Sequence, residues 1–280
     1  MRIFVFMVSL ITLSPFVFAS EKKNTPQRIV SCTVASDEIL LQLLNKPEEK
    51  KHILAVSTLA DDLHFSSIHE EARSIPHRVG ANIEQVLALK PDLVIAATYN
   101  QPEFVSALRK LKIKVHVMEG FESIKDLKRH VTDLGMLTGS EKEAQSLLDT
   151  MDKRIVEFKK NNKVKEKILL ILSDRTLLGK NTLLDDIFSL VGYKNLAKEM
   201  GVVGWQKISE EKLLQISPDW ILTSAEEKER KEVVFTLSQS PALKKMIADK
   251  KRVVLLPPAL FGAFSPKVLD VLNVVNHSHL

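Results

Sequence analysis

The chain has one cysteine, nine glycines, two tryptophans and two tyrosines in 280 residues. Each shortage excludes something. A lone Cys32 cannot close a disulfide within the chain, so the fold must stand on packing alone. With glycine this sparse there is no Gly-x-Gly-x-x-Gly turn, no Walker A loop and no Gly-x-Ser-x-Gly elbow, which removes the common nucleotide-binding and serine-hydrolase signatures. An aromatic content of 6% leaves the core mainly to Leu, Val and Ile. The net charge is +5, and the basic residues are interspersed with acids rather than drawn into a stripe between aromatics, so a nucleic-acid surface is excluded. Beyond the N-terminus no run is apolar enough to span a bilayer. What is there, 45% hydrophobic and 27% charged residues, is the balance of an ordinary globular protein long enough for two modest domains.

The N-terminus reads as a secretory signal over residues 1–19. Arg2 is a minimal basic region, residues 3–13 are apolar, Ser14-Pro15 breaks the run, and Val17-Phe18-Ala19 offers a cleavage site after Ala19. The apolar run is shorter than the roughly 20 residues of a spanning helix, so the expectation is cleavage and release into the periplasm. Cys32 is separated from that run by charged residues and lies in an apolar stretch, 28–34, that reads as the first strand. A small buried thiol is expected there, not a lipid-attachment site.

From residue 27 the pattern alternates short β-branched runs with amphipathic helical segments, which implies parallel sheets covered on both faces. Strands are expected at 28–34, 53–57, 93–97 and 114–118. Helices are expected at 39–44, capped by Ser36, and at 83–89, 102–110 and 123–137. Residues 58–81 read as a long polar loop. A helix from Glu141 to about Asn161 carries Ala144, Leu147, Leu148, Met151, Ile155 and Phe158 as one continuous stripe. Alternation then resumes, with strands at 167–172, 220–223 and 252–256 and helices at 182–191, 209–216, 243–250 and 265–276. The expected organisation is an α/β lobe over 27–120, a helical connector over 121–165 and a second α/β lobe over 166–280. In such sheets ligands meet the loops after the strand C-termini, here 33–36, 58–60, 98–101 and 119–121.

One unit is written twice. NIEQVLALKPDLVIAA at 82–97 is echoed by SEEKLLQISPDWILTS at 209–224, with Glu84 answering to Glu211, Leu87 to Leu214, Pro91 to Pro218 and Asp92 to Asp219. Chemistry alone assigns Glu84 and Glu211 to the favourable field at a helix N-terminus. The stretch DDLHFSSIHEEARSIPHR at 61–78 holds three histidines and four acids. His64 and His69 lack metal-ligand spacing, so it reads as a solvated loop. Gly179-Lys180 ahead of a helix reads as an ordinary turn.

The order of motifs, RIVSCTVASDEILLQLL, ILAVS, VGANIEQVLALKPDLVIA, the long helix, GWQKISEEKLLQISPDWIL and FSPKVLDVL, resembles the periplasmic substrate-binding proteins for cobalamin and ferric siderophores. These are the helix-linked class of ABC importer binding proteins, and the resemblance covers about residues 28–276. It implies two Rossmann-like lobes facing each other across a ligand cleft, joined by one long rigid helix, and a binding protein, not an enzyme, with no cofactor of its own. It implies a chain that is monomeric when free and docks on a permease dimer of the inner membrane through a glutamate on each lobe. Those glutamates match Glu84 and Glu211, with Glu210 an alternative to the second. Trp205 matches an aromatic cleft position, and Phe261 and Phe264 fall in the loop that reaches the cleft. Leu59 and Arg78 stand where cobalamin binders have a tyrosine and a tryptophan. Ala259 and Ala263 replace an acidic and a basic residue. With Tyr99 and Arg175, Arg78 points to a more polar or anionic chelate such as a ferric siderophore. Heme is the alternative, with His64, His77 or Tyr99 as the available axial groups, and an exported two-lobed enzyme is the competing class.

Overall fold

A computed structural model describes residues 25–161, 166–249 and 252–278, so the expected signal segment 1–19 lies outside the described residues. Strands β1 (Ile29–Ser31), β2 (Ile53–Ser57), β3 (His77–Val79), β4 (Leu93–Ala97) and β5 (Val115–Met118) form one parallel sheet in the order β3-β2-β1-β4-β5. All five residues of β4 are buried, as a strand covered on both faces requires. The second lobe carries β6 (Lys167–Leu170), β7 (Thr176–Leu178), β8 (Lys194–Asn195), β9 (Trp205–Lys207), β10 (Trp220–Ser224) and β11 (Arg252–Leu256). Four of these form a parallel sheet in the order β11-β10-β6-β8, and β7 pairs with β9 antiparallel. Among the described residues no helix is long and apolar enough to cross a membrane.

The repeated unit has a structural reason in both lobes. The Asp92 carboxylate accepts from the Gln27 and Arg28 N–H groups at 2.8 and 3.0 Å, and the Asp92 N–H donates to the Arg28 carbonyl at 3.0 Å. Asp219 does the same for β6: its carboxylate accepts from the Lys167 N–H at 2.8 Å and its N–H donates to the Lys167 carbonyl at 2.8 Å. Each Pro-Asp turn therefore fastens the entry of a central strand, satisfying backbone groups that the ladder leaves open.

The long helix runs over Glu141–Asn161. The preceding helix, Ile124–Thr138, ends at Gly139, which takes the left-handed conformation at φ 72° that glycine adopts without penalty. Gly135 lets the two helices close on each other, since a Cβ there would stand 2.5 Å from the Ala144 side chain. Ala144 and Met151 are buried, and Leu147, Leu148, Ile155 and Phe158 pack on a single apolar core that runs from Ile29 in β1 to Val275 in the last helix.

Several boundaries differ from the sequence pattern. The first helix is Val34–Leu43 and its cap is Thr33, whose hydroxyl accepts the Ser36 N–H at 3.1 Å. Ser36, Asp37 and Glu38 thus lie inside the helix and are buried, because Thr33 takes the cap two residues after a strand of only three. Residues 58–81 hold a short helix, His69–Ala72, and β3. The helix expected over 209–216 is one turn, Glu210–Leu213, and Pro258–Phe261 forms a turn of helix within the expected loop. The β7–β9 pair and the helix Arg230–Leu237 have no counterpart in the pattern. β9 is exposed along its length, so it shows no alternation of apolar and polar residues.

Gly179 explains how that pair is held. Its N–H donates to the Gly204 carbonyl at 3.0 Å, and a Cβ on it would lie 2.1 Å from the Val202 carbonyl oxygen. Gly179→Ala must push two backbone segments apart, at a cost of about 1–3 kcal/mol by analogy with overpacked cores. A lowered thermal midpoint is expected, and an unchanged one would show that the turn is not under this constraint.

Candidate functional site

The strand C-termini of the first lobe meet the segment after β11 from the second. A cavity of about 450 Å³ opens between them, lined by the loops after β1 to β4, including Cys32, Leu59, Tyr99 and Asn100, and closed by Gly262, Ala263 and Phe264. A second cavity, of about 440 Å³, lies on the other side of the same three residues. It takes Thr98 and Gly120 from the first lobe, Phe121 and Glu122 from the start of the connector, and Leu183, Trp205 and Phe261 from the second lobe. Gly262, Ala263 and Phe264 line both, so the two are halves of one cleft between the lobes.

The cleft has an aromatic seam. Tyr99 lies 5.3 Å from Phe121 between ring centroids, and Phe121, which follows the first lobe's last strand, meets Phe264 of the second lobe edge-on at 5.0 Å. Trp205 and Phe261 pack edge-on at 6.0 Å on the second lobe. Leu59, Tyr99 and Trp205 are 43%, 61% and 50% exposed, while Phe261 is buried. Large apolar side chains left open in a concavity suit a ligand with an apolar face.

Each loop is held from behind. Asp37 is completely buried and accepts from the Ser57 N–H at 3.0 Å and the Ser57 hydroxyl at 2.6 Å, fixing the end of β2 ahead of Leu59. Asn100 closes a tight turn on Ala97, accepting the Ala97 N–H at 2.7 Å, and so presents Tyr99 at the turn's tip. Behind Phe121, two successive carbonyls are held by successive residues of the helix Ile124–Thr138. Arg129 donates to Glu119, and His130 Nε2 donates to Gly120 at 2.7 Å. A carbonyl only accepts, so Nε2 carries the imidazole proton. Burial holds the His130 ring below its ordinary range and hence neutral, and the ring packs against Phe121 at 5.1 Å.

The site therefore gathers Leu59, Tyr99, Trp205, Phe261 and Phe264 of the residues singled out from the sequence. Arg78 and Arg175 are placed elsewhere. Arg78 sits in β3 with all five donors engaged: Nε and Nη2 grip Asp61 at 2.6 and 2.7 Å, and the rest reach the carbonyls of Ala72, Ile75 and His77. It braces the 58–76 segment and lines neither half of the cleft. Arg175 lies 3.5 Å from Glu210, lining a separate depression. Neither His64 nor His77 lines the cleft. Ala263 lines it and Ala259 is buried. Phe121 and Phe65 are additions. Phe121 belongs to a loop already marked as a sheet edge, but only the folded chain brings it against Phe264.

The two docking candidates are both exposed, each in the first turn of its helix. Glu210 is not free. Its carboxylate accepts from the Ser240 hydroxyl at 2.8 Å and the Ala242 N–H at 2.5 Å, capping the helix Pro241–Ala248. The Glu211 carboxyl is held below its usual range by its own backbone N–H, then by the Ser209 hydroxyl and the Arg175 charge.

The cleft offers no reactive thiol. Burial, with the charge of Asp37 adding to it, pushes the Cys32 thiol up to about 12. Among the described residues no three His, Cys, Asp or Glu side chains stand together as a metal site. Burial also pushes Asp37 up to about 7, above the unfolded value of 3.8. A raised folded value means the folded chain holds the proton longer, so this contribution to stability is full below about pH 4 and is lost as pH rises through about 7. Glu38 is shifted in the same direction, again by burial. The thermal midpoint of the chain is expected to decline between about pH 4 and 7 more steeply than that of Asp37→Asn. Parallel profiles would place Asp37 outside this linkage.

Comparison with known proteins agrees with this architecture. A family model described as periplasmic binding protein matches residues 29–260. The uncharacterized ABC transporter substrate-binding lipoprotein YvrC of Bacillus subtilis is 26% identical over 157 residues, 52% of this chain and 49% of that protein, so the chain aligns with about half of that relative. The high-affinity heme uptake system protein IsdE of Staphylococcus aureus (strain Newman) is 25% identical over 239 residues, 78% of this chain and 74% of that one. The crystal structure of the periplasmic vitamin B12 binding protein BtuF of Vibrio cholerae superposes with a TM-score of 0.69 at 20% identity, covering 91% of this chain and 97% of that one. Two parallel-sheet lobes on one long helix, with a cleft at their strand ends, are the form in which this chain belongs to the periplasmic binding protein family.

Proposed function

We propose that the protein is the exported solute-binding component of an ABC importer, capturing a metal chelate between its lobes in the periplasm and delivering it to a permease dimer. The observation that carries this reading is the aromatic cleft shared by both lobes, with Tyr99, Phe121 and Phe264 in contact along it and Trp205 on the far wall. A rigid apolar face of a corrinoid, a porphyrin or a ferric siderophore packs on such side chains with little rearrangement. The ligand brings its own metal, and the protein supplies shape and apolar surface. The heme protein and the vitamin B12 protein among its relatives support a chelate of this kind.

Docking follows from the two exposed carboxylates. Glu84 and Glu211 occupy matching places in the repeated unit, one per lobe, so two complementary charges on the permease would set the register of the complex and speed encounter. Glu211 takes this role and Glu210 does not, because Glu210 already caps a helix.

Two results are expected. Trp205→Ala and Phe264→Ala should each weaken chelate binding by about tenfold or more in a calorimetric titration, the usual effect of removing an aromatic anchor. Retention of full affinity by both variants would move the ligand out of this cleft. In cells, the double variant Glu84→Ala with Glu211→Ala should lose uptake while still binding ligand, whereas Glu210→Ala should lower the thermal midpoint by removing a cap worth about 1 kcal/mol. Undiminished uptake by the double variant would sink the docking assignment.

A further inference from the structure

The cleft has a sign. Of the described side chains lining its two halves, none is lysine, arginine or histidine, and the one charged group is Glu122. Four basic residues of the surrounding segments are engaged elsewhere. Arg78 is closed on Asp61, Arg175 stands by Glu210, Arg129 is held by Glu119 and Asp126, and Lys267 lies 3.5 Å from Glu71. Beneath the first half, Asp37 and Glu38 are fully buried. Asp37 accepts from the N–H and hydroxyl of Ser57, which lines the cavity, so its carboxyl stands one residue behind the wall.

One feature of the fold works the other way. Helices starting at strand C-termini bring partial positive charge to a cleft. Here the two helices whose caps line it, Val34–Leu43 behind Thr33 and Leu183–Leu190 behind Thr182, carry Asp37 and Asp185 with Asp186 in their first turns. Asp185 is itself balanced by Lys198 at 3.4 Å, so the field that would otherwise favour an anion is offset by Asp186 at the second helix and, once ionised, by Asp37 at the first.

Given a chelate-binding cleft, on which this step rests, we infer that the site selects by charge: it takes metal chelates whose buried face is neutral or cationic and disfavours those that bring anionic groups into it. An anionic group there would lose its water and meet apolar walls and Glu122, with no cation among the described lining side chains to pair. Corrinoids and hydroxamate-type ferric chelates fall on the favoured side. Ferric tris(catecholates) and hemin, with its two carboxylates, fall on the other.

The test is a titration of the mature chain at pH 8 and low salt, read by native mass spectrometry and by tryptophan fluorescence. The probes are aquocyanocobinamide and a cationic ferric trihydroxamate, against hemin and a trianionic ferric tris(catecholate). The tightest ligand is expected among the first pair, by about tenfold or more over either anion, and Glu122→Lys should narrow that ratio several-fold. Tightest binding of an anionic chelate, or a ratio near one that Glu122→Lys leaves unmoved, overturns the charge selection while leaving the chelate reading intact. If the folded chain retains no chelate of either charge, the chelate reading itself falls and the selection with it.

Discussion

The stripe along the Glu141–Asn161 helix is what the rest of the structure depends on. Through Ala144, Met151 and their neighbours it joins one apolar core that begins at β1 and ends in the last helix, so the two sheets share a core rather than touching across a solvated seam. Directed contacts add to it. The Ile124 N–H donates to Asp186 at 2.8 Å, and Arg154 pairs with Asp270 at 2.7 Å. A helix with its stripe buried this way bends little, and the strand ends of both lobes are held facing each other without a ligand. The Phe121–Phe264 contact forms where they meet.

From that placement the division of labour in the cleft follows. Polar groups do the holding, out of sight: Asp37 fixes β2, Asn100 shapes the Tyr99 turn, and Arg129 with His130 grips the backbone before Phe121. Apolar groups do the facing. Because the holding groups are bonded to backbone and hydroxyls, they present no free cation to the ligand. Among the described lining side chains the one charged group is Glu122. On the proposed reading, such a site recognises shape and apolar area, and screens by charge.

Much of this was legible in the sequence, and the gaps have physical causes. The long helix was clear because its apolar positions keep one period over twenty-one residues, and β4 because five consecutive small or branched apolar residues admit little else. The cap at Thr33 was not clear, since Ser36 is an equally good capping residue and only the length of β1 decides between them. Arg78 and Arg175 looked like ligand groups because a lone arginine in a polar loop carries no mark of its partner. Asp61 is seventeen residues from Arg78, and Glu210 lies thirty-five beyond Arg175. β7 and β9, three residues each, are defined by each other and by the space over Gly179, which no local pattern records.

On the proposed function, both lobes contact one ligand in this cleft. Amide hydrogen exchange of the mature chain with and without a bound chelate tests it most directly. The account predicts added protection at 58–60, 98–101 and 119–122 in the first lobe together with 204–206 and 258–264 in the second, and none at the exposed turns carrying Glu84 and Glu211. Protection confined to one lobe, or centred on those turns, would contradict it.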